Sequence, residues 1–184
     1  MGFHTFDADG ADRLEDISRF RFCSREELLG PLSRSSSATV LDLGSGTGFY
    51  TDEIAPFVGR VVALDLQREM HAQYEQKGIP ANVAPVTAEA ESLPFGNETI
   101  DGAFSTMTFH ESTTAESLAE LHRVFSPGAP FVVVDWSRDG NDESGPPLEE
   151  RFSAEKAREL LEDAGFTVES AVERSETFRV VARR

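Results

Sequence analysis

Short apolar runs alternate along the chain with longer stretches in which apolar and polar residues recur at helical spacing. The apolar runs predict β-strands near 39–43, 60–65, 82–87, 100–105, 130–135, 166–173 and 176–183. The amphipathic stretches predict helices near 47–57, 67–77, 114–125 and 153–164. Because strands that alternate with helices usually form a parallel sheet covered by helices, the pattern predicts an α/β fold with a doubly wound sheet.

Glycine, proline and serine residues indicate where several of these elements end. The Ser-Pro-Gly sequence at 126–128 is expected to stop the helix of 114–125. Ser153 can cap the helix that follows it, and Gly165 is the expected left-handed terminator of that helix. A short polar turn at 173–175 joins the last two strands, which predicts a hairpin and an antiparallel final strand.

A separate part of the pattern precedes the first predicted strand. Four apolar residues recur there at rough helical spacing: Leu14, Ile17, Phe20 and Phe22. The serine-rich stretch 33–38 is typical of a flexible joint. We therefore divide the chain into an N-terminal helical segment at 1–37 and a main domain at 38–184.

Residues 40–48, Val-Leu-Asp-Leu-Gly-Ser-Gly-Thr-Gly, predict a buried strand, a tight loop and the start of a helix. Three glycines alternate there with small hydroxyl residues: Gly44, Ser45, Gly46, Thr47 and Gly48. Glycine lets the backbone turn sharply and approach a ligand closely, and a helix N-terminus presents free N–H groups. Asp65 ends the next apolar run, at the position where doubly wound folds bind a nucleotide ribose.

The spacing of the glycines separates two kinds of nucleotide ligand. A dinucleotide site requires a third glycine at the position that Phe49 occupies here. Asp42, just before the loop, would repel a pyrophosphate and attract an ammonium group. S-adenosylmethionine carries an ammonium, a sulfonium and a ribose diol but no phosphate, so the residues favour this cofactor. The alternative is a tight strand-to-helix turn that binds no ligand.

Five motifs in register resemble the class I S-adenosylmethionine-dependent methyltransferases, specifically the small "methyltransferase type 11" group. They are VLDLGSGTG at 40–48, VALD at 62–65, AEAESLPF at 88–95, IDGAFS at 100–105, and LHRVFSPG at 121–128 before FVVVD at 131–135. The resemblance implies a Rossmann-like sheet of seven strands, mostly parallel, with one antiparallel strand near the C-terminus. It also implies that the N-terminal segment packs over the cofactor as a lid. The alternative for that segment is a helix that only covers the core.

The resemblance and the side-chain chemistry together assign a cofactor site. The loop residues Gly44, Ser45, Gly46, Thr47 and Gly48 would lie beneath the methionine part. Asp42 would face the ammonium group, and Asp65 would take both ribose hydroxyls because a carboxylate has two acceptor oxygens. The alternative role for Asp65 is capping of the next helix.

Further cofactor contacts follow from the same resemblance. Leu66 and Met70 are candidates to pack on the adenine. Glu89 stands where the family often has an aspartate that contacts the adenine amino group, and its longer arm can leave that contact to the backbone of Ala90. Ser105, at the end of the fourth predicted strand, would lie near the methionine part.

His110 and Glu111 are the candidate catalytic residues. They follow the fourth predicted strand, and active sites of open parallel sheets form beyond the carboxyl ends of the strands. A histidine there can take a proton from the methyl acceptor, and Glu111 can either orient the histidine or share the proton transfer. The alternative is a histidine that only holds its loop by hydrogen bonds. Of the other histidines, His71 is expected to be solvated and His122 to be structural.

Candidates for substrate binding come from three further places. Asp135 and Trp136 end the fifth predicted strand, and the glycine- and proline-rich stretch 137–150 predicts a mobile flap. Arg151 would hold an acidic substrate or, alternatively, pair with the neighbouring carboxylates of Glu149 or Glu150. Two residues from the N-terminus would close the site: His4 and Phe6.

The charge of the chain excludes several partners. It has 33 acidic and 17 basic residues, for a formal net charge of −16, which argues against nucleic acid and anionic membranes as partners. We interpret this charge as adaptation to a salty cytoplasm, with an acidic mesophilic protein as the alternative. The sequence predicts a cytoplasmic protein without a metal. It has a single cysteine and no metal-ligand spacing, and it lacks both an apolar run of membrane-spanning length and a signal-peptide pattern.

These observations predict an S-adenosylmethionine-dependent methyltransferase, a monomer or homodimer, that acts on a small molecule by in-line methyl transfer. The alternative is a non-catalytic nucleotide-binding or scaffold protein with the same fold. A short NAD-dependent reductase is disfavoured by the glycine spacing and by the lack of a Tyr-x-x-x-Lys pair, since Ile54 and Gly78 lie four residues after the two tyrosines.

Overall fold

The computed structural model describes residues 8–184, and seven strands in this range form one sheet. The strands are β1 (Thr39–Leu43), β2 (Arg60–Asp65), β3 (Val83–Thr87), β4 (Gly102–Thr106), β5 (Pro130–Trp136), β6 (Thr167–Glu173) and β7 (Thr177–Arg183). Their spatial order is β3-β2-β1-β4-β5-β7-β6. The order reverses direction between β1 and β4, which creates a crevice at the carboxyl ends of these two strands.

Strands β1 to β5 are parallel, and β7 runs antiparallel between β5 and β6. The predicted doubly wound fold with one reversed strand near the C-terminus is therefore confirmed. The predicted hairpin is also confirmed, since β6 and β7 pair and the N–H of Arg174 donates to the carbonyl of Thr177 across the turn.

Six α-helices connect the strands or cover the sheet within the described residues. They are α1 (Arg25–Leu29), α2 (Phe49–Ile54), α3 (Arg68–Lys77), α4 (Phe109–Ser112), α5 (Ala115–Val124) and α6 (Ala154–Asp163). Short 3₁₀-helices lie at Ala8–Glu15, Ile17–Arg21, Ala55–Phe57 and Leu148–Glu150. The helix predicted from 47 begins only at Phe49, because Gly48 has a left-handed φ of 84°.

The predicted ends of the last helix are confirmed. The hydroxyl of Ser153 accepts a hydrogen bond from the backbone N–H of Lys156, which caps the start of α6. Gly165 has a φ of 93° just after the end of α6. The preceding helix, α5, begins with a reciprocal capping box between Thr114 and Ser117, which the sequence analysis did not predict.

Apolar side chains of the strands point alternately to the two faces of the sheet, because the side-chain period of a strand is two. On one face, Leu41 and Phe131 pack with α5 and α6, and on the other Val40 and Phe104 pack with α1, α2 and α3. Both phenylalanines are fully buried. Within residues 8–184, none of the helices has the length and apolar character needed to span a membrane.

The N-terminal segment differs from the predicted amphipathic helix. It forms two consecutive 3₁₀-helices and α1, and Ile17 is 77% exposed rather than part of an apolar face. Two arginines of the C-terminal hairpin hold the segment, because Arg174 pairs with Glu27 and Arg179 donates to the Glu27 carbonyl. Its division from the main domain at residue 37 stays a prediction.

Candidate active site

A cavity of about 1030 Å³ lies at the carboxyl ends of β1, β2, β4 and β5, where the strand order reverses. One part is lined by the loop after β1, and another by the loop after β4 and by residues of the flap. We call the part beside residues 44–48 the loop end and the part beside His110 the histidine end. Side chains of the N-terminal segment, including Leu14 and Arg19, line the same cavity.

The glycine loop is shaped by left-handed backbone and close packing. Gly44 and Gly48 have φ values of 79° and 84°. A Cβ at Gly44 would lie 2.3 Å from the Thr108 side chain, and a Cβ at Gly48 would lie 2.2 Å from the Tyr74 ring. Side chains are therefore excluded at both positions, and the loop lines the cavity through Gly44, Ser45 and Gly46.

Asp42 is 1% exposed and lines the loop end of the cavity. Its Oδ2 accepts a hydrogen bond from the Thr51 hydroxyl at 2.5 Å, whereas its Oδ1 is buried with no partner among residues 8–184. Burial raises the pKa of Asp42 to about 7, the Thr51 hydrogen bond opposes the rise, and the charge of Asp65 adds to it. The free oxygen is therefore placed to receive a cationic ligand group.

Asp65 is half-buried at the end of β2 and holds the backbone around it. Its Oδ2 accepts a hydrogen bond from the Gly46 N–H at 2.8 Å, and its Oδ1 accepts one from the Gln67 N–H at 2.9 Å. Each oxygen retains a second lone pair, and Asp65 lines the cavity. The carboxylate thus supports the loop and still offers acceptors to a ligand.

The residues predicted to contact adenine surround one side of the loop end. Leu66 is 53% exposed, Met70 is buried, and both line the cavity. Glu89, which is exposed, and Ala90, which is buried, lie on the cavity wall as well.

Three predicted cofactor residues are absent from the described lining of the cavity: Thr47, Gly48 and Ser105. The Thr47 hydroxyl donates to Glu15 of the N-terminal segment, and Gly48 makes room for Tyr74. Ser105 is fully buried with its Oγ unpartnered among the described residues. The structure therefore shows Thr47 and Gly48 in packing roles that the sequence analysis did not predict.

His110 and Asp135 form a buried pair at the histidine end. The Nδ1 atom of His110 lies 2.9 Å from Oδ2 and 3.0 Å from Oδ1 of Asp135. The backbone N–H of His110 donates to the same carboxylate at 2.7 Å. The Nε2 atom of His110 lies 3.7 Å from Oε1 of Glu111, and both residues line the cavity.

The charges around His110 shift its pKa and that of its neighbour. Burial works to lower the pKa of His110, but the charge and hydrogen bond of Asp135, with Glu111 and Glu150, outweigh burial and raise it. Burial raises the pKa of Glu111 to about 7, although His110 opposes the rise. Both groups therefore hold a proton to a higher pH than the free side chains do, and perturbed pKa values of this kind are typical of functional sites.

The structure corrects the predicted position of Asp135, which was expected to face the substrate. Asp135 is fully buried, and its oxygens are engaged by His110 and by the Trp136 N–H at 2.7 Å. Instead, Asp135 accepts hydrogen bonds from His110 and fixes the position of its ring. Trp136 does line the cavity, and its ring meets the Phe22 ring edge-on with centroids 4.8 Å apart.

Arg151 also differs from its predicted role. It is 2% exposed, and its side chain donates to the flap, at the carbonyls of Pro146, Ser137 and Ser144 and at the Asp142 carboxylate. Its ion-pair partner is thus Asp142, rather than Glu149 or Glu150. Because four of the five N–H groups of a guanidinium are used in this way, Arg151 shapes the flap from within.

The expectation that His71 is solvated was wrong. His71 is 7% exposed, its Nδ1 lies 3.0 Å from the Thr87 hydroxyl, and burial lowers its pKa. Met70, His71 and Tyr74 share the buried face of α3, so helical spacing explains the burial. His122 packs edge-on against Phe166, in agreement with a structural role, while His4 and Phe6 lie outside the described residues.

Several residues that line the cavity were not predicted as site residues: Leu14, Arg19, Phe22, Met107 and Thr108. Pro146, Pro147 and Glu150 also line it, and they belong to the predicted flap. The lining residues of the N-terminal segment are distant in sequence from every motif. Met107 has a left-handed φ of 59°, a conformation that a methionine rarely adopts and that its sequence does not indicate.

Comparison with known proteins relates this arrangement to one family. Residues 41–133 match the family described as Methyltransferase domain. Over 108 residues the chain is 35% identical to the ubiquinone/menaquinone biosynthesis C-methyltransferase UbiE of Enterobacter sp. (strain 638), covering 54% of this chain and 43% of that protein. It is 29% identical over 162 residues to the O-methyltransferase cnsE of Penicillium expansum, covering 80% of this chain and 59% of that protein. The chain thus spans less than two thirds of either relative.

One solved structure is similar to this chain over nearly its whole length. The crystal structure of a SAM dependent methyltransferase from Aquifex aeolicus matches with a TM-score of 0.87 and 34% sequence identity. The match covers 97% of this chain and 99% of that one. The similarity therefore extends well beyond residues 41–133.

Proposed function

Because this chain belongs to the methyltransferase domain family and its cofactor is S-adenosylmethionine, we propose that it methylates a small molecule held at the histidine end of the cavity. The observation that carries the proposal is the buried pair of His110 and Asp135, which lies on the same cavity as the glycine loop. The pair provides a base where the methyl acceptor would stand.

The residues of the loop end fit the cofactor. An ammonium group would supply the ion-pair partner that the Asp42 Oδ1 lacks, and the remaining lone pairs of Asp65 suit a ribose diol. When bound, the cofactor supplies a methyl group attached to a good leaving group. The protein then has to align the acceptor with that methyl group and exclude water.

His110 is the residue to which we assign proton removal. Its Nδ1–H donates to Asp135, so Nε2 carries the lone pair that accepts a proton. Nε2 of His110 would take the proton that the acceptor atom loses, and the bound cofactor would supply both the methyl group and its leaving group. Asp135 is a positioning residue, because it holds the ring and stabilises the cation that forms.

The lining of the histidine end favours a small, largely apolar acceptor. Its apolar residues are Phe22, Met107, Trp136, Pro146 and Pro147. Two carboxylates, Glu111 and Glu150, stand among them and disfavour an anionic acceptor. Phenols, hydroquinones, thiols and amines match this combination better than carboxylic acids do.

A panel of acceptors tests the proposal. The protein is incubated with S-adenosylmethionine labelled in the methyl group and with phenols, hydroquinones, thiols, amines or carboxylic acids, and label in each product is counted. We expect transfer to at least one of the first four classes and none to the acids. Binding of the cofactor without transfer to any class would instead support the non-catalytic alternative.

A further inference from the structure

Arg19, in the N-terminal segment, lies at the loop end beside Asp42, and we propose that it binds the carboxylate of the cofactor's methionine part. This inference rests on the proposed cofactor site and adds a residue to it. It assigns to the N-terminal segment a direct role in choosing the cofactor, rather than that of a cover alone.

The guanidinium of Arg19 is held in place by aromatic rings and one carbonyl. Its Cζ lies 4.9 Å from the centre of the Phe49 ring and 5.0 Å from that of Tyr50, and one NH₂ group donates to the Leu14 carbonyl at 2.6 Å. The Tyr50 hydroxyl donates to the backbone carbonyl of Arg19 at 3.1 Å. Both aromatic residues belong to α2, the helix that follows the glycine loop, so the arginine is positioned relative to that loop.

The charges at this place are complementary to a zwitterion. Arg19 lines the cavity, and no carboxylate of residues 10–184 lies within ion-pair distance of it. Asp42 and Glu15 contribute attraction from farther away; Glu15 is engaged by Thr47 and Lys77, whereas Asp42 has an unpartnered Oδ1 and lines the same cavity. A half-buried cation and a buried carboxylate that do not pair with each other both gain from a ligand that carries the opposite charges.

The amino-acid end of the cofactor carries those two charges on one carbon atom. With its ammonium group at Asp42, its carboxylate is within reach of a guanidinium on the same part of the wall, and Arg19 has N–H groups left to donate. The Ser45 hydroxyl, buried and without a partner among the described residues, lies on the same wall and can join this contact.

Calorimetry with two ligands isolates the carboxylate. The ligands are S-adenosylhomocysteine and its decarboxylated analogue, which keeps the nucleoside and the ammonium group. The proteins are the wild type, Arg19→Met, Arg19→Lys and the matched control Arg25→Met, which removes an exposed arginine of the same segment. Thermal melts of each protein show that it is folded.

We expect the wild type and Arg25→Met to bind S-adenosylhomocysteine at least about 10-fold more tightly than the analogue, as befits a charge-assisted contact. Arg19→Met should lose about 10-fold or more for S-adenosylhomocysteine but little for the analogue, and Arg19→Lys should fall between. An equal loss for both ligands, or no loss for either, would overturn the role of Arg19. Failure of the wild type to bind either ligand would instead overturn the cofactor site itself.

Discussion

The two ends of the cavity differ in whether their buried polar groups have hydrogen-bond partners. At the loop end, Asp42 Oδ1 and Ser45 Oγ are buried and unpartnered within residues 8–184. At the histidine end, the Asp135 carboxylate accepts hydrogen bonds from the ring and backbone of His110 and from the Trp136 backbone. Under the proposed function a ligand completes the loop end, whereas the pair at the histidine end is held by its own hydrogen bonds.

This difference separates binding from chemistry. An unsatisfied buried polar group costs about 1–3 kcal/mol, so the loop end weakens the unliganded protein and the ligand regains that free energy. A base must keep one orientation before any acceptor arrives, so the histidine end carries its support within the fold.

The largest effect is expected from His110→Gln, because it removes the base and leaves the loop end intact. With an acceptor identified from the panel, kcat should fall by about 10²–10⁴-fold, while the dissociation constant for S-adenosylhomocysteine stays unchanged. His122→Gln, on α5 against Phe166, is the matched control and should retain its rate. Equal losses in the two variants, or full activity in His110→Gln, would contradict the assignment.

Asp42→Asn should change binding and stability in opposite directions. The amide keeps an acceptor for the Thr51 hydroxyl but removes the charge, so affinity for S-adenosylhomocysteine should fall by about 2 kcal/mol or more. The free energy of unfolding of the unliganded protein at pH 8 should rise by about 1–2 kcal/mol, because a buried charge is gone. Denaturant titration and calorimetry measure the two effects. A variant that is less stable than the wild type and binds S-adenosylhomocysteine equally tightly would contradict the difference between the two ends of the cavity.

The raised pKa of Asp42 also predicts how pH acts on binding. In the folded protein Asp42 binds a proton up to about pH 7, whereas in the unfolded chain it ionises near pH 4, so its contribution to stability falls as pH rises between these values. The cofactor's ammonium favours the ionised form, so binding below pH 7 should release a proton and affinity should rise towards pH 7. Calorimetry in buffers of different ionisation enthalpy measures the release, which Asp42→Asn should remove.

The smallest of these effects concerns the surface. The net charge of −16 should destabilise the protein at low salt, so the thermal midpoint should rise by several degrees between about 0.1 M and about 2 M KCl. Because the screening acts on exposed charges, Asp42→Asn should show the same salt response as the wild type. A midpoint indifferent to molar salt would remove the hypothesis of a salt-adapted protein.

Much of the fold could be predicted because it depends on short-range patterns. Each predicted strand contains or overlaps an observed strand, since apolar runs bounded by turn residues specify buried strands locally. The glycine loop could also be predicted, because Gly44 and Gly48 have a left-handed backbone conformation that other residues rarely adopt. Asp42 and Asp65 were located through their places at the ends of these runs.

Roles that depend on partners far along the chain could not be predicted in the same way. His110 and Asp135 are 25 residues apart in sequence and meet because β4 lies beside β5 in the sheet. Arg151 was predicted to pair with carboxylates next to it in sequence, but its partners were determined by the folding of the flap around it. His71 was predicted to be solvated, because the sequence does not show which face of α3 packs on the sheet.

The sequence by itself determined the order of the elements, the reversed strand and the tight glycine loop after β1, because periodicity and glycine conformation are properties of adjacent residues. Only the tertiary structure decided that Asp135 supports His110 rather than a substrate and that Arg19 faces the loop end. The physical reason is that hydrogen bonds and ion pairs form between groups brought together by packing, and a linear pattern does not record that proximity.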